Sequence, residues 1–317
     1  MMEMKIVLKS ILTVALLSSA CALSSARGTK SAAMTFIDGT LTPRVAAMGG
    51  ISAGLSSDAY AQFGNIAAIP FSDRTFSAGV SYLGWQPSTA DVKSGLLGAT
   101  CRLGRFGISL GAGAFVSNPY ETMDAYGNVV GQFTPLNYLV GAGVSYLITD
   151  SFSAGLGLHY ASSITSAYYD DLYTAYASIQ FIYRVKGVSI SLSGNNLGLP
   201  VTSASGASFN IPMNAGLAVS YSNAWDRHAL TAAVDGKAYF GGPFAMGCAV
   251  GAEYEYDSMI AVRAGYHYGS RENGLPSYAS VGVGAKFFGV NVDAAYLIGS
   301  PTSPLRNTFT VGVGYSF

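Results

Sequence analysis

The residues of this chain able to take part in chemistry are few, and their spacing excludes most of it. The three histidines, His159, His228 and His267, have no Ser/His/Asp or Cys/His grouping beside them. A nucleophile or general base needs such neighbours within hydrogen-bond reach. His159 and His267 fall within alternating segments and read as interior or rim side chains rather than bases or ligands. Asp170–Asp171 reads as a solvated strand start rather than a metal site. The runs "GAGAF" and "SYASVGVGA" lie inside strands, where glycine serves packing; a phosphate loop opens a helix instead. Cys101 and Cys248 occupy apolar-phase positions of strands distant in order, which suits inert thiols rather than a disulfide. No catalytic residue, cofactor or metal ligand is expected, and the chain reads as a non-enzyme.

One charged pair does stand out. If the turn at 257–259 has three residues, Tyr256 faces Ile260, Tyr254 faces Val262, and Glu253 faces Arg263 on the opposite surface. Opposite charges directly across a strand pair contribute roughly 0.2–1 kcal/mol, so the pair reads as structural scaffolding rather than a functional site.

The elements that position these residues follow from composition. Half of the 317 residues are apolar and only 11% are charged, with 39 Gly, 21 Tyr and 16 Phe. A soluble domain is about a quarter charged, so this chain cannot coat a water-facing surface. The net charge is zero and no basic stripe points to nucleic acid. No run approaches the roughly 20 apolar residues of a membrane helix. A membrane protein lacking such helices must be a closed barrel, because every backbone group in lipid needs an internal partner.

At the N-terminus, Lys5 and Lys9 precede the apolar run Ile11 to Leu17, and "SSACALSSA" follows. Residues 1–26 read as a secretory signal peptide cleaved after Ala22 or Ala26. Cys21 suggests lipidation, but Ser18 stands where the lipobox has Leu. Residues 27–73 are rich in Gly, Ala and Ser without alternation; they are expected to form a hatch in or beneath the lumen, with Gly49 and Gly50 making a tight turn.

Residues 74–317 alternate with a period of two. Strands are predicted at 74–85, 91–103, 105–117, 136–149, 151–164, 170–184, 187–194, 211–222, 227–239, 244–256, 259–268, 278–287, 289–297 and 307–317. Their connections alternate between tight turns and longer loops, notably 118–135, 195–210, 269–277 and 298–306, as in outer-membrane barrels. The fold expected is all-β: a transmembrane antiparallel barrel of about 14 strands. In the last strand Phe309, Val311, Val313, Tyr315 and Phe317 face lipid. Tyr160, Tyr168, Tyr169, Tyr173, Tyr221, Trp225, Tyr254 and Tyr256 fall near strand ends, as interfacial girdles should.

"PRVAAMGG…SSDAYAQFGNIAAIPF" followed by "FSAGVSYLGWQP" resembles the start of the PorV/PorQ-type family, outer-membrane relatives of FadL. Arg44, Met48, Gly49, Asp58, Ala59, Asn65, Ala67 and Trp85 fall on the family's positions, while Ile66 stands where Pro is usual. "GNNLGLPV" and "IPMNAGLAVSY" look like its Asn-Leu-Gly and Ile-Pro strands, and "VGAEYEY" with "AVRAGYHYG" like its Glu-Tyr hairpin. The C-terminus is similar to the PorV branch through Asp293, Tyr296, Pro304, Leu305, Asn307, Thr308 and Phe317. The resemblance implies a FadL-like fourteen-strand barrel in the outer membrane of a Gram-negative, Bacteroidetes-type bacterium.

It also implies a role in type IX secretion. There the barrel would sit beside a large translocon barrel of the Sov/SprA type, receive the C-terminal signal domain of secreted cargo proteins, and pass them to a surface attachment complex. The external loops would supply the contacts, through Tyr120, Met123, Tyr126 and Phe133 in one and Leu197, Leu199, Val201 and Phe209 in the other; such apolar loop surfaces suit a protein partner. The alternatives are a FadL-like conduit for hydrophobic solutes, or a paralogue serving another outer-membrane assembly complex.

Overall fold

The computed structural model describes residues 32–39, 41–85, 91–166, 171–203, 206–242, 244–270, 275–300, 303 and 305–317. The signal-peptide segment with Cys21, and Tyr168, Tyr169, Asp170 and Pro304, lie outside them. Among the described residues no helix is long and apolar enough to cross a membrane.

The described strands, in chain order, are β1 (Phe76–Trp85), β2 (Val92–Leu103), β3 (Phe106–Val116), β4 (Tyr120–Met123), β5 (Val129–Phe133), β6 (Leu136–Thr149), β7 (Phe152–Ile164), β8 (Leu172–Val185), β9 (Val188–Gly198), β10 (Val201–Thr202), β11 (Ser208–Phe209), β12 (Asn214–Trp225), β13 (His228–Tyr239), β14 (Ala245–Tyr256), β15 (Ile260–Gly269), β16 (Tyr278–Phe287), β17 (Val290–Gly299) and β18 (Phe309–Ser316). All but the two small hairpins β4–β5 and β10–β11 join one antiparallel barrel of 14 strands, which β1 and β18 close from Ser77↔Ser316 to Gly84↔Phe309. Closure leaves no strand edge to be satisfied by lipid.

The period of two decides which side chains meet which medium. On β18, Val311, Val313, Tyr315 and Phe317 are exposed outward, while Thr308 and Thr310 are buried inward. Cys101 and Cys248 lie on outward phases and are not disulfide-linked. Outward aromatic residues collect near both ends of the strands. Phe106–Tyr146 and Phe152–Phe181 pair at the short-turn end, with ring centroids 4.8 and 6.2 Å apart, and Tyr82–Phe309 and Tyr138–Tyr160 at the long-loop end. Trp225, Tyr254 and Tyr256 are exposed at the short-turn end, and Tyr160 and Tyr173 at the other. The turns Lys186–Gly187 and Phe288–Gly289 have positive φ at both residues, the hairpin geometry that matches strand twist.

Two strands and two loops differ most from the sequence expectation. β9 runs on to Gly198 after a bulge opposite Ala177–Ile179, since Asn196 adopts a left-handed φ of 56° that alternation does not signal. β12 starts at Asn214 and continues through Trp225, so the turn there is confined to Asp226–Arg227. The expected loops 118–135 and 195–210 contain the hairpins β4–β5 and β10–β11.

Residues 32–73 fill the lumen. They comprise the helix α1 (Pro43–Ala47) and three 3-10 turns, Thr35–Ile37, Ala61–Phe63 and Ile66–Phe71. The small inward residues of the wall make room for them. Gln62, Ile66 and Ile69 press between Gly107, Ser109, Gly143 and Gly157, and α1 packs against β15 to β18. The turn after α1 is made by Gly49 and Gly50 at φ of 73° and 87°. A side chain on Gly49 would lie 3.0 Å from the backbone of Tyr266 on the wall.

Candidate functional site

The hatch is fastened to the wall by buried charges at one level of the lumen. β14 and β15 set Glu253 opposite Arg263, with Arg263 Nε 2.5 Å from Glu253 Oε2 and both side chains about 2% exposed or less. The structure adds two members. Arg44 of α1 donates to both oxygens of Glu253, at 2.5 and 2.9 Å, and Arg263 reaches Asp293 Oδ1 on β17 at 2.5 Å. Two guanidinium groups thus meet two carboxylates, which is what burying such charges requires. Burial works against the charge on Arg44, but Glu253 outweighs it, so the guanidinium is more firmly protonated than usual. Arg44 also donates to Ser56 O and Oγ, tying the helix to the following hatch loop. Asp58 closes that loop by accepting from the Tyr60 N–H at 2.8 Å.

A second set of contacts holds the hatch to β3, β7 and β8. Gln180 accepts from the Ile66 N–H at 2.7 Å and donates to Gly64 O at 2.8 Å. Ser109 donates to Gln62 Oε1 at 2.5 Å. His159 stacks on Tyr176 with centroids 4.7 Å apart, and His267 stacks on Tyr278 at 5.1 Å. Both histidines are therefore lumen side chains. His228 lies outside the lumen, in the short-turn girdle, with Nδ1 2.6 Å from Tyr254 Oη.

Between the hatch and the long-loop end lies a cavity of about 1100 Å³. One pole is apolar: Met34, Phe36 and Phe63 of the hatch with Leu83, Trp85 and Phe115 of the wall. The other carries Asp38, Lys237, Tyr239, His267 and Tyr278. Asp38 accepts from Tyr239 Oη at 2.9 Å and from Asn214 Nδ2 at 3.3 Å. Above the apolar pole the β10–β11 hairpin folds inward: Val201, Phe209 and Ile211 join the Met34–Phe115 cluster, and the Ala33 N–H donates to Asn210 O. Such a space accommodates a drug-sized ligand.

The eight apolar loop residues singled out by sequence divide accordingly. Tyr120, Met123, Tyr126 and Leu199 are exposed, Tyr126 by 91%. Phe133 is half-buried against Tyr120, and Leu197 is half-buried on β9. Val201 is 2% exposed and Phe209 packs beside it, so these two side chains face the cavity as part of its cover rather than outward. The β4–β5 hairpin is shaped by Asp124, which accepts from the N–H groups of Tyr126 and Asn128 and from the Asn128 amide; these bonds, the amide first, hold its carboxyl below the usual range.

Sequence reasoning missed Asp38, Lys237 and Tyr239. Lys237 carries a signal: with Asp235 it puts two charges on the inward phase of β13. Asp38 ends a short turn with no periodicity to mark it.

No family profile and no curated protein matches the chain. Solved structures do. The Ralstonia pickettii toluene transporter TbuX is 13% identical, with a TM-score of 0.59 over 87% of this chain and 97% of that one. The P. putida toluene transporter TodX is 15% identical, with a TM-score of 0.58 over 87% and 98%. A Pseudomonas aeruginosa FadL homologue is 14% identical, with a TM-score of 0.57 over 87% and 98%. At these identities the likeness concerns the fold, which is that of the FadL-like barrels.

Proposed function

We propose that the chain is a conduit for hydrophobic and amphipathic small solutes in a Gram-negative outer membrane, with no enzymatic step. The observation that carries this reading is the cavity of about 1100 Å³ between hatch and loops. Its apolar pole removes a hydrophobic body from water, at roughly 25 cal/mol per Å² of apolar surface buried. The toluene transporters of the same fold support the reading by analogy.

Trp85 lines the cavity and Trp225 is the only other tryptophan. In a Trp225→Phe background, Trp85 fluorescence reports on occupancy. Titrating butylbenzene into the barrel in lipid nanodiscs should give a saturable change; a flat titration would argue against the conduit.

A second reading rests on the exposed β4–β5 hairpin and the PorV/PorQ-type motifs: an adaptor of type IX secretion that binds cargo at the translocon. It requires co-purification with a very large translocon barrel after mild detergent extraction, and recovery of this chain alone would count against it.

A further inference from the structure

The polar pole of the cavity contains two opposite charges that face the same space without meeting. Asp38 is half-buried at the end of the Thr35–Ile37 turn. Its two hydrogen bonds, from Tyr239 and Asn214, leave lone pairs free on a carboxylate that can accept about four. Lys237 stands on the inward phase of β13 between Asp235 and Tyr239, and its two cross-strand neighbours are Gly216 and Gly247. With no side chain on either flank, its stem is free to reach into the cavity it lines. Asp235 and Asp38 both act on the ammonium electrostatically. Among the described residues neither forms an ion pair with it, and none accepts a hydrogen bond from it. Its three donors are thus available to a group in the cavity.

Of the other charges lining the cavity, Arg44 is neutralised by Glu253, and Asp58 is held under the attraction of Arg44 rather than of Lys237. That leaves the Asp38–Lys237 gap, framed by Tyr239 and Tyr278, as the place for a polar group. A simple anion at Lys237 would meet Asp235 and Asp38 as repelling neighbours. A simple cation at Asp38 would leave Lys237 without an acceptor. A head bearing both charges satisfies both ends. Its body would lie on Phe36, which directly precedes Ile37 and Asp38 and leans on Phe115 with centroids 5.4 Å apart.

We propose that the cavity binds an amphipathic zwitterion: a small molecule with an ammonium and an anionic group on neighbouring atoms, and an aromatic or aliphatic body. The ammonium pairs with Asp38, the anionic group with Lys237, and the body occupies the Met34–Phe36–Phe115 pole. This deepens the conduit reading and rests on it.

Four probes with one phenylalkyl body separate the two claims: butylbenzene (neutral), 4-phenylbutylamine (cation), 4-phenylbutyrate (anion) and homophenylalanine (zwitterion). Each is titrated against Trp85 fluorescence in nanodiscs. Homophenylalanine should bind roughly tenfold more tightly than the amine or the acid, on the scale of one added charge-assisted hydrogen bond. Asp38→Asn should weaken homophenylalanine and the amine but not the acid. Lys237→Met should weaken homophenylalanine and the acid but not the amine. Heat-dependent electrophoretic mobility checks that each variant keeps its barrel, and butylbenzene binding checks that the apolar pole is intact. Butylbenzene binding as tightly as homophenylalanine, or a homophenylalanine affinity indifferent to both substitutions, would overturn the zwitterion site and leave the conduit standing. No binding by any probe would remove both.

Discussion

Glu253 is the residue on which the hatch attachment turns, because it serves Arg44 and Arg263 at once. Replacing it by Gln strips Arg44 of its counter-charge and leaves Arg263 with Asp293 alone, a change that costs about 3–5 kcal/mol. Urea unfolding followed by heat-dependent mobility should show that loss. Arg44→Met leaves Glu253 with Arg263 and should cost less; equal effects would mean that Glu253 does not bridge. The Glu253–Arg263 half of this network was legible in the sequence, since a three-residue turn sets the register. Arg44 and Asp293 were not. Arg44 is 209 positions from Glu253, and no local pattern relates a hatch helix to a strand so remote. Outside the lumen, Leu110 and Phe288 provide a depth test. Leu110→Arg, midway along β3, should destabilise by about 2–4 kcal/mol, whereas Phe288→Arg, at a turn and 93% exposed, should cost about 0–1 kcal/mol. Equal costs would contradict a lipid band around the barrel.

The elements fall into wall, hatch and covers. The wall was legible because each strand presents an apolar face to hydrocarbon and a small-residue face to the lumen, and that alternation survives in sequence. The covers were not: β10 and β11 have two residues each, too short for a period, and the inward fold of Val201 depends on Met34 far away in the chain. Their roles are separable. Replacing 201–209 by a short Gly-Ser link should open the cavity from the long-loop end and speed probe binding at Trp85, with the barrel still folded. Replacing 120–133 should leave probe binding unchanged, because β4–β5 lines none of the cavity. A loss of probe binding from the second deletion, with none from the first, would reverse these assignments.

For the whole molecule, the proposed conduit would route a solute through one defined compartment, set within a closed wall between a fastened plug and a cover. Ser117 lines that compartment just beyond β3, at the long-loop end, and a tryptophan there would intrude on it without touching the hatch attachment. The direct test is accumulation of radiolabelled 4-phenylbutyl probes by cells lacking the protein, complemented with wild type or with Ser117→Trp at equal surface abundance. Wild type should raise the initial rate over the deletion strain, and Ser117→Trp should return it to the deletion level. Equal rates in all three strains would contradict the conduit.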